Sequence, residues 1–355
     1  MRVLARINTF LKHVKKQSNI DIFQNILVVS NTGLGDTILS TPSIISLRKS
    51  FPDITITFMV NKKYFPLFEN FEFVDSLILY SSGFFNQLKI ILKLKRRKID
   101  TIFLFHSNGP EDVFFSVLSG AINIFKMTDN HNHDFKNIFL NQANNISQHD
   151  IEKKLDLIRP YNPKYISTEM KISKYFYNKT GFITKQDGYK YIGLQLGAQD
   201  EYKMWPCQNF ISLVNLLNSK YKKLRFVVIG NTKLEKKIAK QLEDGIFKKK
   251  SVLNFCGSTT IIQLPIILND LDLLLTNDTG TMHLSIALAN KTISLFGPTN
   301  PMEFGPYQDY AKHFVINGAN SEFVKDRKKD FKKSNEMKNI TIKMVMEAVE
   351  KCLKN

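Results

Sequence analysis

Two long series of short apolar runs, each run followed by a segment with helical spacing, constrain this chain more than any other feature. In the first, Ile26 to Val29, Ile54 to Val60, Val74 to Leu79, Thr101 to Phe105 and a short run near Ile122 to Phe125 read as strands. Helical patterns fall at Ile38 to Leu47, Phe84 to Lys95 and Val113 to Leu118. The second series has strands at Tyr191 to Leu196, Leu224 to Ile229, Val252 to Phe255, Leu271 to Thr276 and Thr292 to Phe296. Helices at Phe210 to Leu217, Leu234 to Leu242, Ile261 to Leu268 and Met282 to Leu288 separate them. Strands that alternate with helices form parallel sheets covered on both faces, so the fold class is α/β. Because the alternation occurs twice, the chain holds two similar halves, and a cleft between two such sheets suits a reaction that joins two substrates. A weakly patterned Lys/Tyr-rich stretch near 165 to 188 is the expected linker, with units at 21–180 and 181–355.

The first strand runs into Asn31-Thr32-Gly33-Leu34-Gly35-Asp36, a tight Gly-x-Gly turn that opens a helix. Asp36 stands where a carboxylate projects from the carboxyl end of a strand, the edge at which open α/β sheets bind ligands. A nicotinamide dehydrogenase is the obvious rival for such a turn. Its fingerprint needs a third glycine where this chain has Ile38, and Asp36 would lie against the pyrophosphate, so that class is excluded.

In the second half, Asn277-Asp278-Thr279-Gly280-Thr281-Met282-His283 follows an apolar strand and opens a helix. Free N–H groups of that first turn, with Gly280 admitting close approach, suit a phosphate; equally, Asp278 can be a plain N-cap. Lys203-Met204-Trp205-Pro206 lies after the first strand of this half, where Lys203 can neutralise a pyrophosphate or be a surface lysine beside a core tryptophan. Glu235 begins the helix after the strand that ends at Gly230, a position from which a carboxylate reaches ribose hydroxyls. Phe296-Gly-Pro-Thr-Asn-Pro forms a rigid turn cluster at a later strand end.

These blocks, Leu34-Gly35-Asp36, Lys203-x-Trp205-Pro206, Asp278-Thr279-Gly280 with His283, and Gly297-Pro298-Thr299, resemble in their order the heptosyltransferases of glycosyltransferase family nine. The resemblance spans Ile26 to Tyr307 and implies a GT-B architecture, two Rossmann-like domains with parallel sheets facing a central cleft. It implies inverting, metal-independent transfer of heptose from an ADP-sugar to a lipid-anchored lipopolysaccharide core oligosaccharide, with no cofactor. By the same resemblance Asp36 matches the general base, on an acceptor-side turn of Thr32, Gly33 and Gly35. Lys203 matches the lysine that offsets charge on the departing diphosphate, and Thr279 and Gly280 its backbone cradle. Asp278 matches a contact to sugar hydroxyls, His283 a residue of the same pocket, Glu235 the ribose ligand and Thr259 the adenine contact. The chain departs from many relatives at Ser30, where they carry arginine, and at Gln195-Leu196-Gly197, where His-Pro or Asn-Pro precedes the glycine. A non-catalytic nucleotide-sugar-binding protein of the same fold is the alternative.

The 50 Lys+Arg against 32 Asp+Glu give a net charge of +18, which draws the chain to anionic partners or reflects a composition rich in Lys, Asn and Ile throughout. Residues 1–20 read as a basic amphipathic helix, with Val3, Leu4, Ile7, Phe10, Leu11 and Val14 on one stripe. It suits an anionic membrane surface, or packs on its own domain. No nucleic-acid motif with interleaved aromatics is present, so nucleic acid is not an expected partner. His131 and His133 sit in a polar loop and read as solvated, not metal-bound. Three cysteines without ligand spacing read as buried thiols of a reducing compartment. With no membrane-spanning run and no secretory apolar core, the expected location is cytoplasmic, peripheral at the inner face of the cytoplasmic membrane.

Overall fold

The computed structural model describes residues 22–106, 110–126, 149–319 and 335–354. The basic helix expected over residues 1–20 and the loop with His131 and His133 lie outside them. The chain divides into two compact units, Met1–Lys174 and Tyr175–Asn355.

In the first unit β1 (Asn25–Ser30), β2 (Thr55–Asn61), β3 (Ser76–Tyr80), β4 (Thr101–His106) and β5 (Asn123–Lys126) form one parallel sheet in the order β3-β2-β1-β4-β5. Its helices are α1 (Leu34–Leu39), α2 (Thr41–Ser50), α3 (Phe84–Arg96), α4 (Pro110–Leu118) and α5 (Asp150–Ile158). Ile26 to Val29 are 0% exposed because helices cover both faces of the central strand. Each such side chain contributes about 1.5–3 kcal/mol on burial, which is why β1 reads as an unbroken apolar run rather than an alternating one.

Two local features differ from expectation. The helix expected to run on from Ile38 is two helices, α1 and α2, that meet at Ser40. Pro42 has no N–H to give to the Ile38 carbonyl, and the Thr41 hydroxyl donates to that carbonyl instead at 2.7 Å. Helix α5 was not anticipated beyond the polar loop before it. Its Ile151, Leu155 and Ile158 are 0% exposed at helical spacing, and the His149 ring accepts from the Ile151 N–H at 3.2 Å as its cap. The same helix buries Lys154 against Asp150 in an i,i+4 ion pair.

The second unit holds β6 (Lys190–Gln195), β7 (Leu224–Ile229), β8 (Val252–Asn254), β9 (Leu273–Asn277), β10 (Thr292–Phe296) and β11 (His313–Asn317), all parallel, in the order β11-β10-β9-β6-β7-β8. Helices α6 (Cys207–Lys220), α7 (Lys233–Gly245), α8 (Gln263–Asn269), α9 (Gly280–Ala287), α10 (Pro301–Phe304) and α11 (Ile342–Lys354) accompany it. Helix α11 docks through Ile342, Val345, Met346 and Val349, and the Thr341 hydroxyl accepts from the Met344 N–H at 3.3 Å. Edge strand β11 was not anticipated. All three cysteines are free, but only Cys352 is buried; Cys207 and Cys256 are half-exposed, contrary to the expected set of buried thiols.

At the start of β11, burial pushes His313 down to about 4, against a smaller opposing pull from Asp309. Its Nδ1 meets the Thr292 hydroxyl at 2.9 Å, and its Nε2 is buried with no hydrogen-bond partner among the described residues. Above about pH 6.5 the ring is neutral folded and unfolded alike. Below it the unfolded chain takes up a proton that the folded chain refuses, so stability falls as pH drops and levels off near 4. The urea midpoint is expected to fall between pH 7 and pH 5, and to fall less in His313→Gln.

In each sheet the strand order reverses once, between β1 and β4 in the first unit and between β6 and β9 in the second. At such a reversal the flanking connections leave on opposite faces and open a crevice beyond the carboxyl ends of the strands, where open α/β sheets bind ligands.

Candidate active site

At the first reversal Gly33 stands as the N-cap of α1, and Thr32, Gly33, Gly35 and Asp36 follow β1 directly. The Asp36 carboxylate turns back on its own turn: Oδ2 accepts from the Gly33 N–H at 3.1 Å and from the Thr32 hydroxyl at 2.9 Å. This is half of a capping box, and it aims the carboxylate. Gly33 serves that carboxylate directly, because a Cβ there would lie 2.7 Å from Asp36 Oδ2.

Sequence reasoning missed His106, the last residue of β4 across the reversal from β1. Its Nδ1 is 2.6 Å from Thr32 Oγ1 and its Nε2 is 3.4 Å from Asp36 Oδ1. Burial pushes the ring below the usual histidine range, with Asp36 and Asp150 pulling it up and Lys154 and Lys126 pushing it further down. Thr32 and His106 thus both hold the Asp36 carboxylate in position. Thr32→Val keeps the shape but removes one of the donors that orient Asp36. It is expected to lower kcat about tenfold with little change in KM, the worth of one hydrogen bond to a charged group, and steady-state kinetics check it.

At the second reversal Lys203 ends a short 3-10 turn (Glu201–Lys203) after β6, and Asp278 follows β9. Lys203 Nζ donates to Asp278 Oδ2 at 2.9 Å, with side-chain exposures of 22% and 8%. Thr279, not Asp278, is the N-cap of α9, and it makes no side-chain cap bond. The capping alternative for Asp278 therefore fails: its carboxylate is engaged by Lys203, and the first turn of α9 from Gly280 keeps amides open to an anion. His283 lies buried one turn further along that helix.

The loop that carries Lys203 is tied down by Asn277 and Trp205. Asn277, buried at the end of β9, accepts from the Trp205 N–H at 3.0 Å and donates to the carbonyls of Leu196 and Gly197 at 3.0 and 3.2 Å. Trp205 is buried, its indole N–H donates to the Ile340 carbonyl at 2.8 Å, and its ring meets Phe210 edge-on. An anchored tryptophan two residues on restricts where Lys203 can reach.

Glu235 sits at the third position of α7 in a capping box with Thr232. Its Oε2 accepts from the N–H groups of Asn231 and Thr232 at 2.8 and 2.7 Å, and its Oε1 accepts from Gln195 at 2.6 Å. A Cβ at Gly197 would lie 2.3 Å from the Glu235 side chain, so the glycine of Gln195-Leu196-Gly197 makes room for this carboxylate. Thr259 lies half-buried in the loop between β8 and α8, two residues after Gly257, whose N–H donates to the Gly230 carbonyl at 2.8 Å. Asp36 and its partners thus belong to the first unit, and Lys203, Glu235, Thr259, Asp278, Thr279, Gly280 and His283 to the second.

Among known proteins, the profile of glycosyltransferase family 9 (heptosyltransferase) matches residues 125–336. The lipooligosaccharide heptosyltransferase 2 of Campylobacter jejuni is 25% identical over 287 residues, which cover 78% of this chain and 82% of that protein. A family 9 glycosyl transferase from Veillonella parvula superposes with a TM-score of 0.77 at 21% identity, covering 93% of this chain and 97% of its own. The Escherichia coli heptosyltransferase WaaC, solved with ADP, gives 0.70 at 17% identity, covering 93% and 100%.

Proposed function

The chain belongs to glycosyltransferase family 9, the heptosyltransferases, and has the GT-B fold; from that premise we propose that it moves heptose from ADP-heptose to a lipopolysaccharide core acceptor by an inverting, metal-independent displacement. One observation carries the reading: an oriented carboxylate stands at the strand reversal of one unit, and a lysine beside an open helix N-terminus stands at the reversal of the other. Asp36 takes the proton of the acceptor hydroxyl as its oxygen attacks the anomeric carbon. Lys203 and the amides at Thr279 and Gly280 stabilise the negative charge that grows on the departing ADP, the work a divalent cation does in other transferases. In this reading the unit over 21–180 binds the acceptor and that over 181–355 the nucleotide sugar. Asp278 holds sugar hydroxyls, His283 lines their pocket, Thr259 offers backbone to the adenine, and Glu235 meets the ribose with a carboxylate already aimed by three donors.

The core acceptor is supported by the names of relatives, which are lipooligosaccharide and lipopolysaccharide heptosyltransferases, and the ADP-linked donor by the WaaC structure solved with ADP. The basic stretch over residues 1–20 and the +18 charge suit a lipid-anchored, phosphate-bearing acceptor on the inner face of the cytoplasmic membrane. Among the described residues no helix is long and apolar enough to cross a membrane. The test is release of ADP from ADP-heptose with truncated core acceptors, beside UDP- and GDP-sugars and with a chelator present. Turnover is expected with the ADP-sugar only, undiminished by chelation. Tight ADP-heptose binding without turnover on any acceptor would favour a non-catalytic binding protein.

A further inference from the structure

Helix α3 is apolar on two faces. Gln87, Ile90, Ile91 and Leu94 point into the core of the first unit. Phe84, Phe85, Leu88 and Leu92 point outward, and they are 68%, 76%, 40% and 57% exposed. At 3.6 residues per turn these four fall within an arc of about 100°, next to the buried arc and distinct from it. Lys89, Lys93 and Arg96, also exposed, form the adjacent arc, and residues 84 to 98 contain no acidic residue. Gly83, at φ +107°, turns the chain sharply into the helix, so the two phenylalanines lead it at its free end.

Four large apolar side chains held outward on one helix have an energetic cost in water, and water-soluble proteins seldom carry such a stripe without a partner. We propose that this face of α3 docks on a phospholipid surface that contains anionic lipid, with Phe84, Phe85, Leu88 and Leu92 entering the acyl boundary and Lys89, Lys93 and Arg96 resting among the phosphates. The pattern is that of an interfacial helix: apolar and aromatic residues on one side, lysine and arginine beside them, no carboxylate to repel the lipid. Charge decides between this partner and a second copy of the chain. Two copies meeting across this face would bring two cationic helices together with no carboxylate on either to offset the charge. A surface of phosphates offers those cations opposite charge instead. The proposal does not depend on the reaction assigned above, because lipid binding is read without turnover.

The full chain is to be co-sedimented with phosphatidylcholine vesicles with and without 30% phosphatidylglycerol. The wild type is expected to bind the anionic vesicles. Changing Lys89, Lys93 and Arg96 together to Gln is expected to weaken that binding roughly 100-fold, at about fivefold per charge near the surface. Changing Phe85, Leu88 and Leu92 to Ser is expected to abolish binding; all three are exposed, and an unaltered circular dichroism spectrum shows that the fold is kept. Hydrogen exchange with vesicles present is expected to slow in residues 84–92. Vesicle binding equal to wild type in both variants overturns the proposal, since another segment such as residues 1–21 then carries it. So does a change of oligomeric state in the Ser variant with vesicle binding unchanged, which would identify a second copy as the occupant.

Discussion

Replacing Asp36 by asparagine is expected to lower kcat by about 10²–10⁴-fold while leaving the affinity for ADP-heptose unchanged. The side chain keeps its size, and its remaining carbonyl oxygen can still accept from the Gly33 N–H and the Thr32 hydroxyl, so the α1 turn keeps its shape. What is lost is the capacity to take a proton. Because the groups assigned to the donor all belong to the other unit, donor binding measured by calorimetry serves as the internal control. A variant with full kcat would remove Asp36 from the role of base. A variant that binds the donor poorly would show that the substitution disturbs more than proton transfer, and melting of α1 by circular dichroism would report it.

That turn forms a unit for physical reasons that are partly readable from residues alone. A strand buried on both faces is predominantly apolar, which is how β1, β7 and β10 declare themselves, β7 and β10 at their very boundaries, Leu224–Ile229 and Thr292–Phe296. Periodicity says nothing about which strands lie side by side. The reversals between β1 and β4 and between β6 and β9 therefore became visible only with the pairing registers. The partners of the motifs are hidden for the same reason. His106 is 74 residues from Thr32, and Asp278 is 75 residues from Lys203, so no local pattern joins them. Asp278 illustrates the limit well. As a residue before Thr-Gly at a helix start it fits a cap or a ligand site equally, and only the lysine arriving from another strand end decides that its carboxylate is not the cap. Local signals also misled where side chains compete with the backbone. Ser40, Thr41 and Pro42 split one apparent helix into two, and the signals of α5 were overlooked beside the polar loop that precedes it.

Lys203→Ala is expected to lower kcat/KM by about 10²–10³-fold, the cost of removing one charged donor from a developing anion. The resting geometry makes the expected loss larger than that of an isolated lysine. Lys203 holds Asp278 at 2.9 Å, and Asp278 is only 8% exposed on its side chain. Truncating the lysine therefore removes a positive charge and also frees a nearly buried negative one beside the α9 N-terminus, where it repels the incoming diphosphate. ADP affinity, in which no chemistry takes part, separates the two effects. It is expected to fall in Lys203→Ala and to recover in part when Asp278→Asn is added, with turnover still absent if Asp278 holds the sugar as proposed. Strict additivity of the two substitutions in ADP binding would mean that the pair is not coupled. Lys203→Arg is expected to recover ADP affinity better than kcat. A guanidinium keeps the charge but is planar, and the anchored Trp205 two residues on leaves the loop little freedom to re-aim it.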